Sequence, residues 1–90
     1  MPSVLIPTPL RKLTNELDTV QAAGANISEL LENLDKAFPG LKNRVCDENG
    51  TVRRFVNVYV NGEDIRFLKE NATEIKENDE ISIVPAIAGG

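Results

Sequence analysis

Arg54-Phe55-Val56-Asn57-Val58-Tyr59-Val60-Asn61-Gly62 is the stretch on which the fold turns. It is rich in β-branched and aromatic residues and ends in Asn-Gly, the pair preferred in a two-residue type I′ hairpin because both positions take positive φ. A strand over 54–60 and a return strand over Glu63 to Leu68 are predicted. Side chains alternate across a strand, so Val56, Val58 and Val60 share one side and Phe55, Asn57 and Tyr59 the other. Toward the C-terminus, a turn at Glu77-Asn78-Asp79 leads into a last strand, Glu80-Ile81-Ser82-Ile83-Val84. Ile81 and Ile83 lie on one side of it and Val84 on the opposite side. Pro85-Ala86-Ile87-Ala88-Gly89-Gly90 follows.

Toward the N-terminus, the most strongly patterned element is a helix. Asn26 is placed to cap it, with Glu29 three residues later, and Ile27, Leu30, Leu31, Leu34, Ala37 and Phe38 fall on one face at 3.6-residue spacing. Pro39-Gly40 stops it, and Leu41 to Val45 reads as one further helical turn. Before the helix, Ser3-Val4-Leu5-Ile6-Pro7-Thr8 and Leu17-Asp18-Thr19-Val20-Gln21-Ala22 read as two strands of a hairpin, joined by a loose polar connection over 11–16. Pro7 is tolerable there only where no ladder bond is required of it. The order is strand, strand, helix, strand, strand, strand, an α+β class. One amphipathic helix covers one sheet face, so Val56, Val58, Val60, Ile81 and Ile83 are placed beneath it. Phe55, Asn57, Tyr59 and Val84 are left on the uncovered face as a candidate protein contact.

Ninety residues, 41% hydrophobic and 27% charged, describe one domain, since chains divide at roughly 100–200 residues per domain. A chain this short removes only about two-thirds of its unfolded surface on folding, which leaves no interior for a large cofactor. Function is therefore expected on the surface or at a terminus. The absence of histidine removes Ser-His-Asp and Cys-His catalysis and every zinc site that needs an imidazole. A single cysteine, Cys46, cannot form an internal disulfide, and a reducing cytoplasm is the expected compartment. Val4-Leu5-Ile6 has no basic start and is cut short by Pro7, unlike a signal-peptide core. No segment approaches the roughly 20 apolar residues of a membrane span. Ten Lys/Arg against fourteen Asp/Glu give a net charge of −4, the wrong sign for nucleic acid or an anionic membrane. A basic protein partner suits this surface better.

Two readings of residues 86–90 stand side by side. One is a frayed end left over after the last strand. The other is a reactive tail: glycines without Cβ can enter a channel too narrow for other residues and lie against a nucleotide, while Ala86, Ile87 and Ala88 bring no charge to be desolvated. Such a tail offers the α-carboxylate of Gly90, which must be activated before a nucleophile can attack it. Attack by that carboxylate on the α-phosphate of ATP would give an acyl-adenylate. A partner enzyme must supply the step, because this chain has no phosphate loop.

With those residues in view, the chain resembles the ubiquitin-like sulfur carriers: the small subunit of molybdopterin synthase, the thiamine-biosynthesis carrier and the cysteine-biosynthesis carrier. The resemblance rests on residues 55–67 and 78–90, and the first of these stretches looks most like the cysteine-biosynthesis type. Pro85-Ala86 departs from the two prolines common in the molybdopterin ending. The resemblance implies a ubiquitin-like β-grasp fold, a mixed sheet of about five strands over residues 1–85, with the first and last strands parallel at its centre and the helix across one face. It implies that Gly90 is adenylated by a ubiquitin-activating-like enzyme and converted to a thiocarboxylate whose sulfur is the nucleophile. Gly89 and Ala88 would thread partner channels, and Val84 would present an apolar contact beside the tail. Strand parity adds Tyr59 and Phe55 to the expected partner contacts, and the uncharged tail adds Ile87. The implied partners are the adenylyltransferase/sulfurtransferase that consumes ATP, a sulfur-accepting synthase and a releasing metalloprotease. The chain itself is expected to bind no cofactor or metal and to be a co-substrate rather than a catalyst.

Other residues carry rival readings. Cys46 is either a persulfide carrier or a small buried hydrophobe. Glu63-Asp64 and Asp79-Glu80 lack metal-ligand spacing and read as turn and edge charges. Arg53-Arg54 is too short for a nucleic-acid patch. A protein modifier that forms isopeptide bonds, and a plain interaction domain with an irrelevant tail, remain open beside the sulfur carrier.

Overall fold

The computed structural model describes residues 1–85. The tail expected to react, with Ile87, Ala88, Gly89 and Gly90, lies outside the described residues. Five strands, β1 (Ser3–Leu5), β2 (Thr19–Gln21), β3 (Val56–Val60), β4 (Glu63–Asp64) and β5 (Glu80–Pro85), form one sheet in the order β2-β1-β5-β3-β4. β1 and β5 are parallel and every other neighbouring pair is antiparallel. This is the mixed sheet with its first and last strands adjacent at the centre, the expected β-grasp arrangement. Two helices, α1 (Ile27–Ala37) and α2 (Leu41–Val45), complete it with three short 3₁₀ turns.

The capping expectation for α1 is met. Asn26 has extended backbone, and its side-chain oxygen accepts the Glu29 N–H at 2.9 Å, satisfying one of the donors that a helix start leaves free. Ile27, Leu30, Leu31 and Leu34 are buried, whereas Ala37 is exposed and Phe38 only partly covered. The apolar stripe therefore runs out a turn earlier than its spacing implies. Past Phe38, Gly40 takes φ +97°, and the Asp35 carboxylate accepts the Gly40 and Lys42 N–H groups at 3.1 and 3.2 Å, joining α1 to α2.

The valines and isoleucines assigned to the covered face are in the core. Val56, Val58, Val60, Ile81 and Ile83 are buried with the α1 residues, Val4, Leu41, Val45 and Ile65. The Asn61-Gly62 turn has φ +52° and +88°, positive at both positions as a type I′ turn demands.

Four boundaries differ from those the sequence pattern suggests. β1 stops at Leu5, and residues Thr8–Thr14 wind into a 3₁₀ helix in place of a loose connection. Leu10 and Thr14 are buried there, and the Thr14 hydroxyl lies 2.9 Å from the Leu17 carbonyl it donates to. β2 is shorter than 17–22 because Asn15 and Glu16 both take left-handed backbone and delay the strand. β3 starts at Val56 because the Val56 N–H is used in a turn back to the Arg53 carbonyl at 3.0 Å. The return strand is only two residues long: the Asp64 carboxylate accepts the Arg66 N–H at 2.9 Å and turns the chain into a 3₁₀ helix that sends Ile65 into the core.

Candidate functional site

β5 emerges from the middle of the sheet, and its last residues are the root from which the chain continues toward Gly90. Two neighbours hold it at the start, but not at the end. β1 accompanies β5 only through the Leu5↔Ser82 pair, whereas β3 stays with it through Asn57↔Val84 and Val56↔Pro85. The Asn61 N–H donates to the Glu80 carbonyl at 2.8 Å, so that pair is hydrogen-bonded. Alternation along an antiparallel ladder then makes Tyr59↔Ser82 and Asn57↔Val84 hydrogen-bonded pairs and Val56↔Pro85 a non-hydrogen-bonded one. Pro85 thus stands where β3 asks for no N–H.

Parity places Asn57, Tyr59, Ser82 and Val84 on the face away from α1. Val84 is 44% exposed, and Tyr59 and Asn57 are half-buried. Tyr59 and Val84 therefore sit on the uncovered face as expected. Phe55 is 56% exposed, as a contact residue requires, but it belongs to the turn before β3 and not to the ladder, at the end of the strand that pairs with Pro85. The cause is the Arg53 turn, which breaks the alternation on which the assignment relies.

Two residues of the 3₁₀ turn after β4 give little sign of themselves in the sequence. Phe67 is 86% exposed at the end of the 3₁₀ turn after β4. The Arg66 guanidinium reaches back to β3: Nη2 donates to the Val56 carbonyl at 2.7 Å and to the Arg53 carbonyl at 3.0 Å, and Nη1 donates to Asn57 Oδ1. The arginine's aim depends on a turn that a strand running to Leu68 would not contain.

The remaining candidates settle into structural roles. Cys46 is 1% exposed within the core, and burial pushes its thiol pKa up, with Asp47 adding to the rise and Lys42 and Arg53 opposing it. A thiol held in its neutral form behind packed side chains suits the buried-hydrophobe reading rather than the persulfide one. Asp79 accepts the Lys76 N–H at 2.8 Å and the Asn61 side-chain amide at 2.9 Å, bonds that hold its carboxyl below the usual range. Both of its oxygens are spent on closing turns. The Lys42 ammonium, 2.9 Å from Glu32, lowers that carboxyl and is itself raised. This pair lines a polar groove of about 520 Å³ beside Lys69, Glu70 and Asn71, away from the open sheet face. Among the described residues, no group of three or more Cys, Asp or Glu side chains is arranged to hold a metal. No helix among them is long and apolar enough to cross a membrane.

Known proteins are similar to the chain in sequence and in fold. The chain is 40% identical over 90 residues to the sulfur carrier protein CysO of Mycobacterium tuberculosis, covering 98% of this chain and 97% of that one. It superposes on a chain of the Amycolatopsis orientalis BexX/CysO complex with a TM-score of 0.94 and 40% identity, covering both chains completely. It is also 35% identical over 66 residues to small archaeal modifier protein 3 of Haloferax volcanii, spanning 73% of this chain and 71% of that protein. These relatives are sulfur carriers and small modifiers rather than catalysts. The ThiS family model matches residues 4–90, from the first strand through the paired glycines, and the chain belongs to that family.

Proposed function

We propose that this protein is a sulfur carrier of the cysteine-biosynthesis type, with the C-terminal carboxylate of Gly90 as its reactive group. The observation that carries the reading is the full-length 40% identity to the CysO carrier, together with a family match that runs through Gly90. A ubiquitin-activating-like enzyme joins the Gly90 carboxylate to the α-phosphate of ATP and pyrophosphate leaves. A sulfide-level donor then attacks the carbonyl carbon, AMP departs, and a thiocarboxylate remains. Its sulfur is soft, polarizable and anionic near neutral pH. It adds to an aminoacrylate derived from activated serine, forming a thioester. The acyl group then moves from sulfur to the freed amine, and a partner protease hydrolyses that amide, releasing cysteine and restoring the Gly90 carboxylate. The open face around Val84 and Tyr59 docks the activating enzyme, and the glycines bring the carboxylate to the nucleotide.

Intact-mass measurement of the full chain after incubation with activating enzyme, ATP and a sulfur donor tests this. Exchange of one terminal oxygen for sulfur is expected. Gly90→Ala should fold like the parent yet lose roughly a hundredfold in pyrophosphate exchange, because a displacement of about 1 Å at a reacting group has that cost. Parent-like exchange by the variant would remove the steric reason for the glycine.

The Haloferax relative favours a second reading, a modifier joined to lysine through the same activated glycine. Lysine-linked conjugates without any thiocarboxylate would favour it over the carrier.

A further inference from the structure

We propose that Arg66 is a positioning residue for the tail: its guanidinium braces the start of β3 from outside, and through β3 it fixes where the chain leaves the sheet toward Gly90. This rests on the proposal that Gly90 is activated by a partner enzyme.

Beyond Ser82, β5 has no ladder partner in β1, and among the described residues the ladder partners of Val84 and Pro85 are Asn57 and Val56. The Val56 side chain is buried in the core, but the backbone edge beside it is sparsely paired. β4 pairs with Tyr59 and Val60, so among the described residues the outer edge at Val56 and Asn57 has no strand partner. Val56 belongs to a non-hydrogen-bonded pair with Pro85, so its carbonyl points to this outer edge. An unpaired carbonyl that is part-buried needs a donor.

Arg66 supplies it. Nη2 sits 2.7 Å from the Val56 carbonyl and 3.0 Å from that of Arg53, with the Arg54 carbonyl at 3.4 Å, and Nη1 donates to the Asn57 side chain. One planar group thus ties together residues 53–57, both β3 residues that pair with the tail root among them. Its own aim is set by Asp64, which takes the Arg66 backbone N–H at 2.9 Å and stands 3.7 Å from Nη1. A lysine would carry the same charge on a single ammonium and could not satisfy this spread of acceptors.

The test compares full-length Arg66→Met and Arg66→Lys with the parent by two measurements. In the free protein, amide hydrogen exchange at Asn57 and Val84 should quicken by about tenfold or more in both variants, while Ile81 and Tyr59 change little, because the opening is local. With an activating enzyme purified from the same organism and selected on pyrophosphate exchange with the parent, kcat should fall by about tenfold or more with KM within about twofold. That split marks lost alignment rather than lost docking. Unchanged exchange at Val84 would overturn the brace. Faster exchange with parent-like kcat would overturn the positioning role, as would a raised KM alone, which would make Arg66 a docking residue. A Lys variant matching the parent in both measurements would show that charge suffices and the fork does not matter. If no activating enzyme accepts the parent, the carrier reading fails, and the amide exchange arm still decides whether the brace exists.

Discussion

Val58 and Val84 stand on neighbouring strands a single rung apart, yet Val58 is 1% exposed and Val84 44%. The same residue type is spent on cohesion on one face and left in water on the other. On the covered face, valines and isoleucines from β3 and β5 meet the leucines of α1, and burial accounts for each of them. On the open face, Val84 joins Asn57, Tyr59 and Ser82 with no helix above, so folding does not require an apolar side chain there. The contrast separates what makes this domain stable from what it would offer to the proposed activating enzyme. Mutations on the two faces should therefore fail in different assays.

The largest effect should come from the covered face. Leu34→Ala removes a fully buried side chain from α1 and should destabilise by about 2–5 kcal/mol. At about 4–8 °C per kcal/mol for a domain of this size, thermal unfolding would register it plainly. The folded fraction should still be activated normally. Loss of activation in fully folded protein would blur the division between the faces.

Gly24→Ala should come next. A Cβ there would lie 2.6 Å from the Leu30 backbone nitrogen and 2.8 Å from its Cα, so helix and preceding loop would have to part. Overpacking of this kind costs about 1–3 kcal/mol, and denaturant titration would measure it. A neutral result would show that the loop yields without disturbing α1.

Val84→Asp carries the comparison to the open face. Stability should stay within about 0.5 kcal/mol of the parent, as for exposed positions generally, while affinity for the activating enzyme falls. Calorimetry and a binding titration on the same sample would separate the two. A large loss of stability would mean that Val84 belongs to the core after all.

The smallest effect concerns a turn that serves both faces equally. The Asp79 carboxyl is held below its usual range by the Lys76 N–H and then by Asn61. A depressed folded-state pKa contributes stability above the unfolded value and loses it as pH falls through the folded one. The stability gap between the parent and Asp79→Asn should therefore narrow as pH is lowered from about 6 to about 3, across the ordinary carboxylate range. A gap that stays constant would show that the charge adds nothing to these bonds.

Much of the fold is legible in the sequence, wherever local chemistry alone decides structure. Asn61-Gly62 specifies its turn, Asn26 its cap, and strand parity sorts Val58 from Tyr59. Where a polar side chain turns the chain, or apolar residues follow the tighter 3₁₀ period, the strand and α-helix patterns mislead. Ile65 to Leu68 is apolar enough to extend the return strand to Leu68, but the Asp64 carboxylate bends it after two residues. Thr8 to Thr14 passes for a polar connection because Leu10 and Leu13 are spaced for a tight helix rather than for either common period. Gly24 gives no signal, since its need for glycine comes from Leu30 lying against it and not from its own backbone angles. For the candidate site, Val84 and Tyr59 follow from alternation, whereas the reach of Arg66 to residues 53–57 depends on that same unexpected bend.

The parallel pairing of β1 with β5 also governs when this domain can form. Ser3 meets Glu80 and Leu5 meets Ser82, nearly the full length of the described chain apart. Contacts so distant in sequence are entropically slow to close. During synthesis the N-terminal hairpin and α1 must wait with their apolar sides uncovered until the strand that fills the sheet's centre has left the ribosome. A nascent chain stalled before residue 80 would lack the central strand and the root of its tail together, so translation itself ensures that a chain without that root also lacks the finished sheet.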